Sequence, residues 1–233
     1  MHQSSLKHQL FAEFIGAAAL LCVVIGSGVM AVNLSGGNDG VALLANTLAT
    51  VFALYVLIEL LGPVSGAHFN PLVTLIVLFK ASNTALAQQN RAQKATLFIA
   101  SQLAGAIAGA WVANAMFDLS VLQVSSKVRG GWSQWLGEVV ATSGLILVVL
   151  RAPAGKAAGL VACYIGAAYW FTSSTSFANP AAVMGRMLSN SFAGIAPGSA
   201  LAFVAAQSVG ALAGIALDRM LGGSNATSPP SQN

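Results

Sequence analysis

An asparagine followed directly by a proline occurs at two corresponding places in this chain. One lies in Gly66-Ala67-His68-Phe69-Asn70-Pro71-Leu72, the other in Ser176-Phe177-Ala178-Asn179-Pro180-Ala181. An Asn side-chain oxygen accepts from the first turn of a helix, and Pro suits the first helical position because it has no N–H to leave unpaired. Each motif therefore predicts a helix start, with Asn70 and Asn179 as caps. Both starts sit between long apolar runs, where an unpaired N–H costs several kcal/mol. The chemistry on offer is recognition rather than bond breaking. Each helix start contributes about half a positive charge. Each Asn amide NH2 remains free to donate into a lumen. Two such starts meeting at mid-bilayer repel a cation from both sides and receive a neutral solute that has lone pairs.

The elements that must hold these starts follow from composition. The chain has 233 residues, 56% of them hydrophobic and 7% charged. A soluble domain carries about 25% charge, so the solvent here is lipid. A spanning helix needs roughly 20 apolar residues. Six spans are expected, at 9–32, 41–61, 95–117, 132–151, 157–173 and 198–220. The runs 71–79 and 180–188 are too short to cross a core roughly 30 Å thick and are read as half-helices. The first apolar run is too long for a cleaved signal and is expected to stay as an anchor. Cys22 and Cys163 fall inside apolar runs and are read as small buried hydrophobes. The net charge of +4 has no basic-aromatic cluster behind it, so no nucleic-acid partner is expected.

The chain repeats internally. Gln102-Leu103-Ala104-Gly105 matches Gln207-Ser208-Val209-Gly210, and Ala12-Glu13-Phe14 matches Gly137-Glu138-Val139. We divide it into a first repeat at 1–125, a second at 126–223 and a polar tail at 224–233 that composition marks as disordered. Three spans per repeat is an odd number, so the second repeat must insert inverted, which places the site at the midplane. Seven basic residues (Lys7, Lys80, Arg91, Lys94, Arg151, Lys156 and Arg219) fall on one side of this topology. Three (Lys127, Arg129 and Arg186) fall on the other. The positive-inside rule then puts both termini in the cytoplasm of a cell membrane, the inner one in a Gram-negative cell. Gly105, Gly109, Gly210 and Gly214 form small-residue faces for close helix packing.

Ser65-Gly66-Ala67-His68-Phe69-Asn70-Pro71 with Val73-Thr74, together with Asn179-Pro180-Ala181, resembles the aquaporin (major intrinsic protein) family over about 9–220. The resemblance implies an all-α fold of six transmembrane helices and two re-entrant half-helices in inverted repeats. It also implies a homotetramer with one pore per subunit and no cofactor. Backbone carbonyls of Gly66, Ala67, His68, Thr175, Ser176 and Phe177 would line the pore, and Glu13 and Glu138 would brace the re-entrant loops. Two departures stand out. Leu72 replaces the usual Ala, which bears on the width at the midplane. Ala182 replaces the usual filter arginine. Projecting the remaining filter positions by family spacing gives Thr50, Ala167 and Ser176, all small, so a wide outer filter is expected. The pattern is similar to bacterial aquaporins associated with arsenic resistance.

The expected function is a passive channel for water and small uncharged solutes, with glycerol and arsenous acid among the candidates. A coupled secondary transporter is the alternative, since it too uses inverted repeats and broken helices. It needs an intramembrane ion site, and Glu13, Glu59 and Glu138 are the span acids. No nucleophile–base pair, metal-ligand spacing or phosphate loop points to an enzyme. Arg186, one turn beyond Ala182, could reach back toward the filter. The plainer expectation is that it snorkels to the interface and pairs with Asp39 or Asp118. His68 is expected to offer its carbonyl rather than to gate. Tyr169, Trp170 and Phe171 are read as an interfacial aromatic belt.

Overall fold

The computed structural model describes residues 4–79 and 85–222. Among the described residues eight helices follow in order: α1 Leu6–Leu34, α2 Asp39–Ser65, α3 Pro71–Phe79, α4 Ala85–Met116, α5 Trp132–Arg151, α6 Ala157–Phe171, α7 Pro180–Met187 and α8 Pro197–Met220. Five of them (α1, α2, α4, α5 and α8) are long and apolar enough to cross a membrane. The fifth expected span, 157–173, is shorter than read: α6 has 15 residues, a rise of roughly 22 Å. The expected half-helices 71–79 and 180–188 are α3 and α7. The fourth helix begins at Ala85, well before the expected 95, so Arg91 and Lys94 lie on a helix rather than in a loop. The predicted tail 224–233 lies outside the described residues.

Glycine decides how closely the long helices approach. A Cβ added to Gly105 would lie 2.2 Å from the Phe14 carbonyl oxygen, and one on Gly109 would lie 2.1 Å from that of Ala18. The second repeat does the same: Gly210 meets the Val139 carbonyl at 2.5 Å and Gly214 that of Ser143 at 2.6 Å. No side chain fits there, so α4 rests on α1 and α8 on α5 backbone to backbone. The two pairs form the walls into which α3 and α7 are set. Gly185 of α7 faces Leu21 and the Ala106 carbonyl in the same manner.

Two sequence expectations about burial change. Cys22 is half-buried, but Cys163 is exposed on α6, because its helix turns that position away from the interior. Trp170 and Phe171 are exposed as a belt requires, whereas Tyr169 is buried against the interior. A run of three consecutive helical residues turns through most of a circle, so all three cannot share one face.

Candidate functional site

Each re-entrant loop is built from an alternating backbone. Ala67 and Phe69 have φ of 51° and 48°; Ser176 and Ala178 have 49° and 47°. Left-handed conformations are costly for residues with a Cβ and persist only when their surroundings enforce them. The enforcing groups are the two predicted braces. Glu13, fully buried, accepts from the backbone N–H of His68 (3.0 Å) and Phe69 (2.8 Å), from the Ser65 hydroxyl (2.6 Å) and from the Gln102 amide (2.7 Å). Glu138 accepts from the N–H of Phe177 (2.8 Å) and Ala178 (2.9 Å) and from the Gln207 amide (2.6 Å). Both oxygens of each acid are acceptors, the bonding pattern of a carboxylate.

The caps then exchange bonds across the pseudo-twofold axis. Asn70 Oδ1 accepts from Leu72 N (3.0 Å), and its Nδ2 donates to the Ala178 carbonyl at 2.8 Å. Asn179 Oδ1 accepts from Ala181 N (2.9 Å), and its Nδ2 donates to the Phe69 carbonyl at 2.9 Å. The expectation that both amide groups are wholly free is corrected. Each gives one N–H to the opposite loop, because a carbonyl turned inward at mid-bilayer needs a donor. One N–H per amide is left for a solute.

A cavity of about 300 Å³ passes these caps. Aliphatic side chains such as Leu20, Val24, Leu145 and Val149 form much of its wall, and loop residues Gly66, Ala67, His68, Ser176 and Phe177 form a polar strip. Thr175, predicted to offer a carbonyl, is not among the lining residues; with φ of 60° it belongs to the turn before the strip. Leu72 is also absent from the lining. It packs beside Val73, Ile146 and Ala211, behind the half-helix, so it does not set the midplane width. The first loop carries a further bond absent from the second: His68 Nδ1 lies 3.1 Å from the Thr74 hydroxyl, which accepts from Gln102 at 2.8 Å. The place of Thr74, four residues past Asn70, is held by Val183 in the second repeat.

Of the four residues expected in the filter, Thr50, Ser176 and Ala182 line the cavity and Ala167 does not. Ala167 is exposed on the far side of α6. The inward face of that helix is Val161, Ile165 and Tyr169, spaced four apart, so a residue two positions from Tyr169 points away. The expected ring of four small residues is therefore corrected: Tyr169 and Arg186 stand beside Thr50, Ser176 and Ala182. Tyr169 OH lies 3.3 Å from Thr50 Oγ1. Because Thr50 already donates to the Asn46 carbonyl (2.8 Å), the tyrosine is the donor. Ser176 Oγ is buried with no hydrogen-bond partner among the described residues.

Arg186 does not snorkel. It is 3% exposed, its Nε donates to the Ala193 carbonyl, and its guanidinium lies over the Phe177 ring, 3.3 Å from the centroid. It pairs with neither Asp39 nor Asp118, because α7 ends inside the protein rather than at the lipid interface. The segment 117–131 folds over it. Within that segment, Lys127 Nζ donates to the Phe192 carbonyl at 2.9 Å. Arg129 donates to the carbonyls of Gly194 (2.7 Å) and Phe192 (3.2 Å). Burial pushes the Lys127 ammonium below its ordinary value, repulsion from Arg129 and Arg186 adds to this, and Asp39 opposes it. Burial likewise lowers Arg129, opposed by Glu138 and Tyr169. This mouth of the cavity thus gathers three cations, and no carboxylate pairs with either arginine among the described residues. Arg129 was not singled out from sequence as a site residue; only the long-range fold of 117–131 onto 188–196 reveals it.

Residues 1–173 match the family model described as Major intrinsic protein. The chain is 45% identical over 224 residues to the Aquaglyceroporin AqpS of Rhizobium meliloti (strain 1021), covering 95% of this chain and 93% of that one. The chain belongs to the major intrinsic protein family. It is accordingly a multi-pass membrane channel of the aquaporin type and not an enzyme. It is also 35% identical to mouse (Mus musculus) Aquaporin-5 over 128 residues, 52% of this chain and 44% of that one. The X-ray structure of the aquaglyceroporin from Plasmodium falciparum superposes with a TM-score of 0.62 at 17% identity, covering 92% of this chain and 96% of that one, a likeness of fold. Two repeats with reciprocal Asn caps are how this aquaporin builds that fold.

Proposed function

We propose that the chain is a passive pore for water and for uncharged polar solutes of glycerol size, neutral metalloid acids such as arsenous acid included. The observation that carries this reading is the reciprocal pair Asn70–Ala178 and Asn179–Phe69 beside a cavity of about 300 Å³. That pair fixes two amide donors and two helix starts at one level. A hydroxyl-bearing solute finds donors there, and a cation finds the positive ends of two half-helices. The name of the relative AqpS, an aquaglyceroporin, supports a solute range wider than water.

The acids argue against a coupled transporter. Glu13 and Glu138 are saturated by loop N–H groups, and Glu59 is exposed and lines no part of the cavity. We further propose that the protein works as a homotetramer in a cell membrane, the inner one in a Gram-negative cell, with both termini cytoplasmic. The distribution of basic residues supports the orientation. Purified protein in liposomes, followed by stopped-flow light scattering with water, glycerol, urea and arsenous acid, tests the function. Flux above empty liposomes that ignores imposed proton and sodium gradients is expected. Flux that follows either gradient would replace the channel reading with a coupled one.

A further inference from the structure

Position 182, where the family resemblance leads one to expect an arginine, holds an alanine whose side chain fills little of the lumen. One turn further along α7 stands Arg186, on the same face and in the same cavity wall. The two half-helices explain why. Val73 and Val77 lie three and seven residues past Asn70, and both line the cavity. Ala182 and Arg186 lie three and seven past Asn179, and both line it as well. A cation is thus set where the fold already aims a side chain at the lumen.

Its hold is unusually complete. The Phe177 backbone is fixed by Glu138 (2.8 Å), and its ring packs edge-on against Phe203 with centroids 5.1 Å apart. That ring carries Arg186 at 3.3 Å and Arg129 at 5.1 Å from its centroid. Stacking on an aromatic face suits a planar guanidinium and stabilises it without neutralising it. Only Nε of Arg186 is used in a hydrogen bond. Its terminal nitrogens bond to nothing among the described residues, and neither does the buried Ser176 hydroxyl on the same wall.

We propose that Arg186 is the charge and size filter of this channel, displaced one helical turn from position 182, and that Arg129 is its positioning residue, sharing the Phe177 ring. The proposal rests on the channel reading above. Passing cations meet, at the mouth, a guanidinium that no carboxylate pairs directly among the described residues, and the helix starts at the centre. Passing polyols meet N–H donors and the Ser176 hydroxyl on one wall. The 117–131 connection, which supplies Arg129, becomes part of the filter.

The test uses full-length protein in liposomes, with stopped-flow water and glycerol permeation and a dye-reported proton and potassium leak. Wild-type flux must first be present; its absence overturns the channel reading, not this assignment. Arg186→Ala is expected to raise the glycerol-to-water ratio about threefold or more and the cation leak about tenfold. Arg186→Lys, which restores the charge but not the planar stack, is expected to recover cation exclusion while leaving the ratio raised. Arg129→Gln should move the ratio in the same direction by a smaller factor, whatever the loss of its bonds to the Gly194 and Phe192 carbonyls does to the melting temperature. Wild-type ratio and leak in folded Arg186→Ala overturn the proposal. Should that variant not fold, Arg186→Lys and Arg129→Gln decide: a raised ratio supports the assignment, and fluxes that are unchanged or fall in proportion overturn it.

Discussion

Tyr169 gives its phenolic proton to Thr50 at 3.3 Å, tying α6 to α2 at the outer end of the cavity. The pair joins a buried aromatic bulk to a hydroxyl that is itself locked to its own helix at Asn46. Bulk and hydrogen bond are separable here. Tyr169→Ala should widen the passage and raise glycerol permeation several-fold relative to water. Tyr169→Phe keeps the ring, and loses one neutral hydrogen bond worth about 1 kcal/mol; its solute ratio should stay near wild type. Stopped-flow ratios for the two variants check this, and equal ratios would show that Tyr169 does not form the constriction.

Asn179→Asp removes the donor to the Phe69 carbonyl and sets an acceptor against an acceptor. A buried carbonyl left without its donor costs about 1–3 kcal/mol. A negative charge also replaces a neutral amide where two helix starts meet. Neutral flux should fall and the cation leak should rise. Asn70→Asp should behave alike through Ala178. Normal flux with intact cation exclusion would remove the Asn pair from the account of selectivity.

Glu138→Gln tests the brace. One carboxylate oxygen becomes an NH2 group facing an N–H of Phe177 or Ala178, so two donors oppose each other in a dry interior. The loop should loosen, with a lowered melting temperature in detergent and a loss of water and glycerol flux in equal proportion. That proportional loss distinguishes a brace from a lumen residue, whose variants change the ratio.

Half-helix bounds and both Asn caps were legible in the sequence because Asn-Pro marks a start locally; the two braces were named only by the family resemblance, the repeat showing no more than that the Glu positions recur. Ala167 was misplaced because spacing along a chain does not specify the rotation of α6; the face of that helix is read from Val161, Ile165 and Tyr169 together. Arg186 was found but turned the wrong way, since its burial depends on the 188–196 loop folding back to offer the Ala193 carbonyl. Arg129 was illegible as a site residue, because a basic residue in a polar connection reads as solvated until the contact with Phe177 is seen.

The two braces have an electrical consequence. Each carboxylate sits behind the half-helix start it supports, a full negative charge against about half a positive one. From a distance the middle of the protein is therefore not positive at all; the two pairs sum to about −1. Only a particle already inside, with the loop backbone between it and the acids, meets the positive ends first. The discrimination is a near-field effect: a cation in bulk solution is not warned off the centre, and salt, which screens over roughly 10 Å at ordinary strength, should leave the central barrier almost untouched.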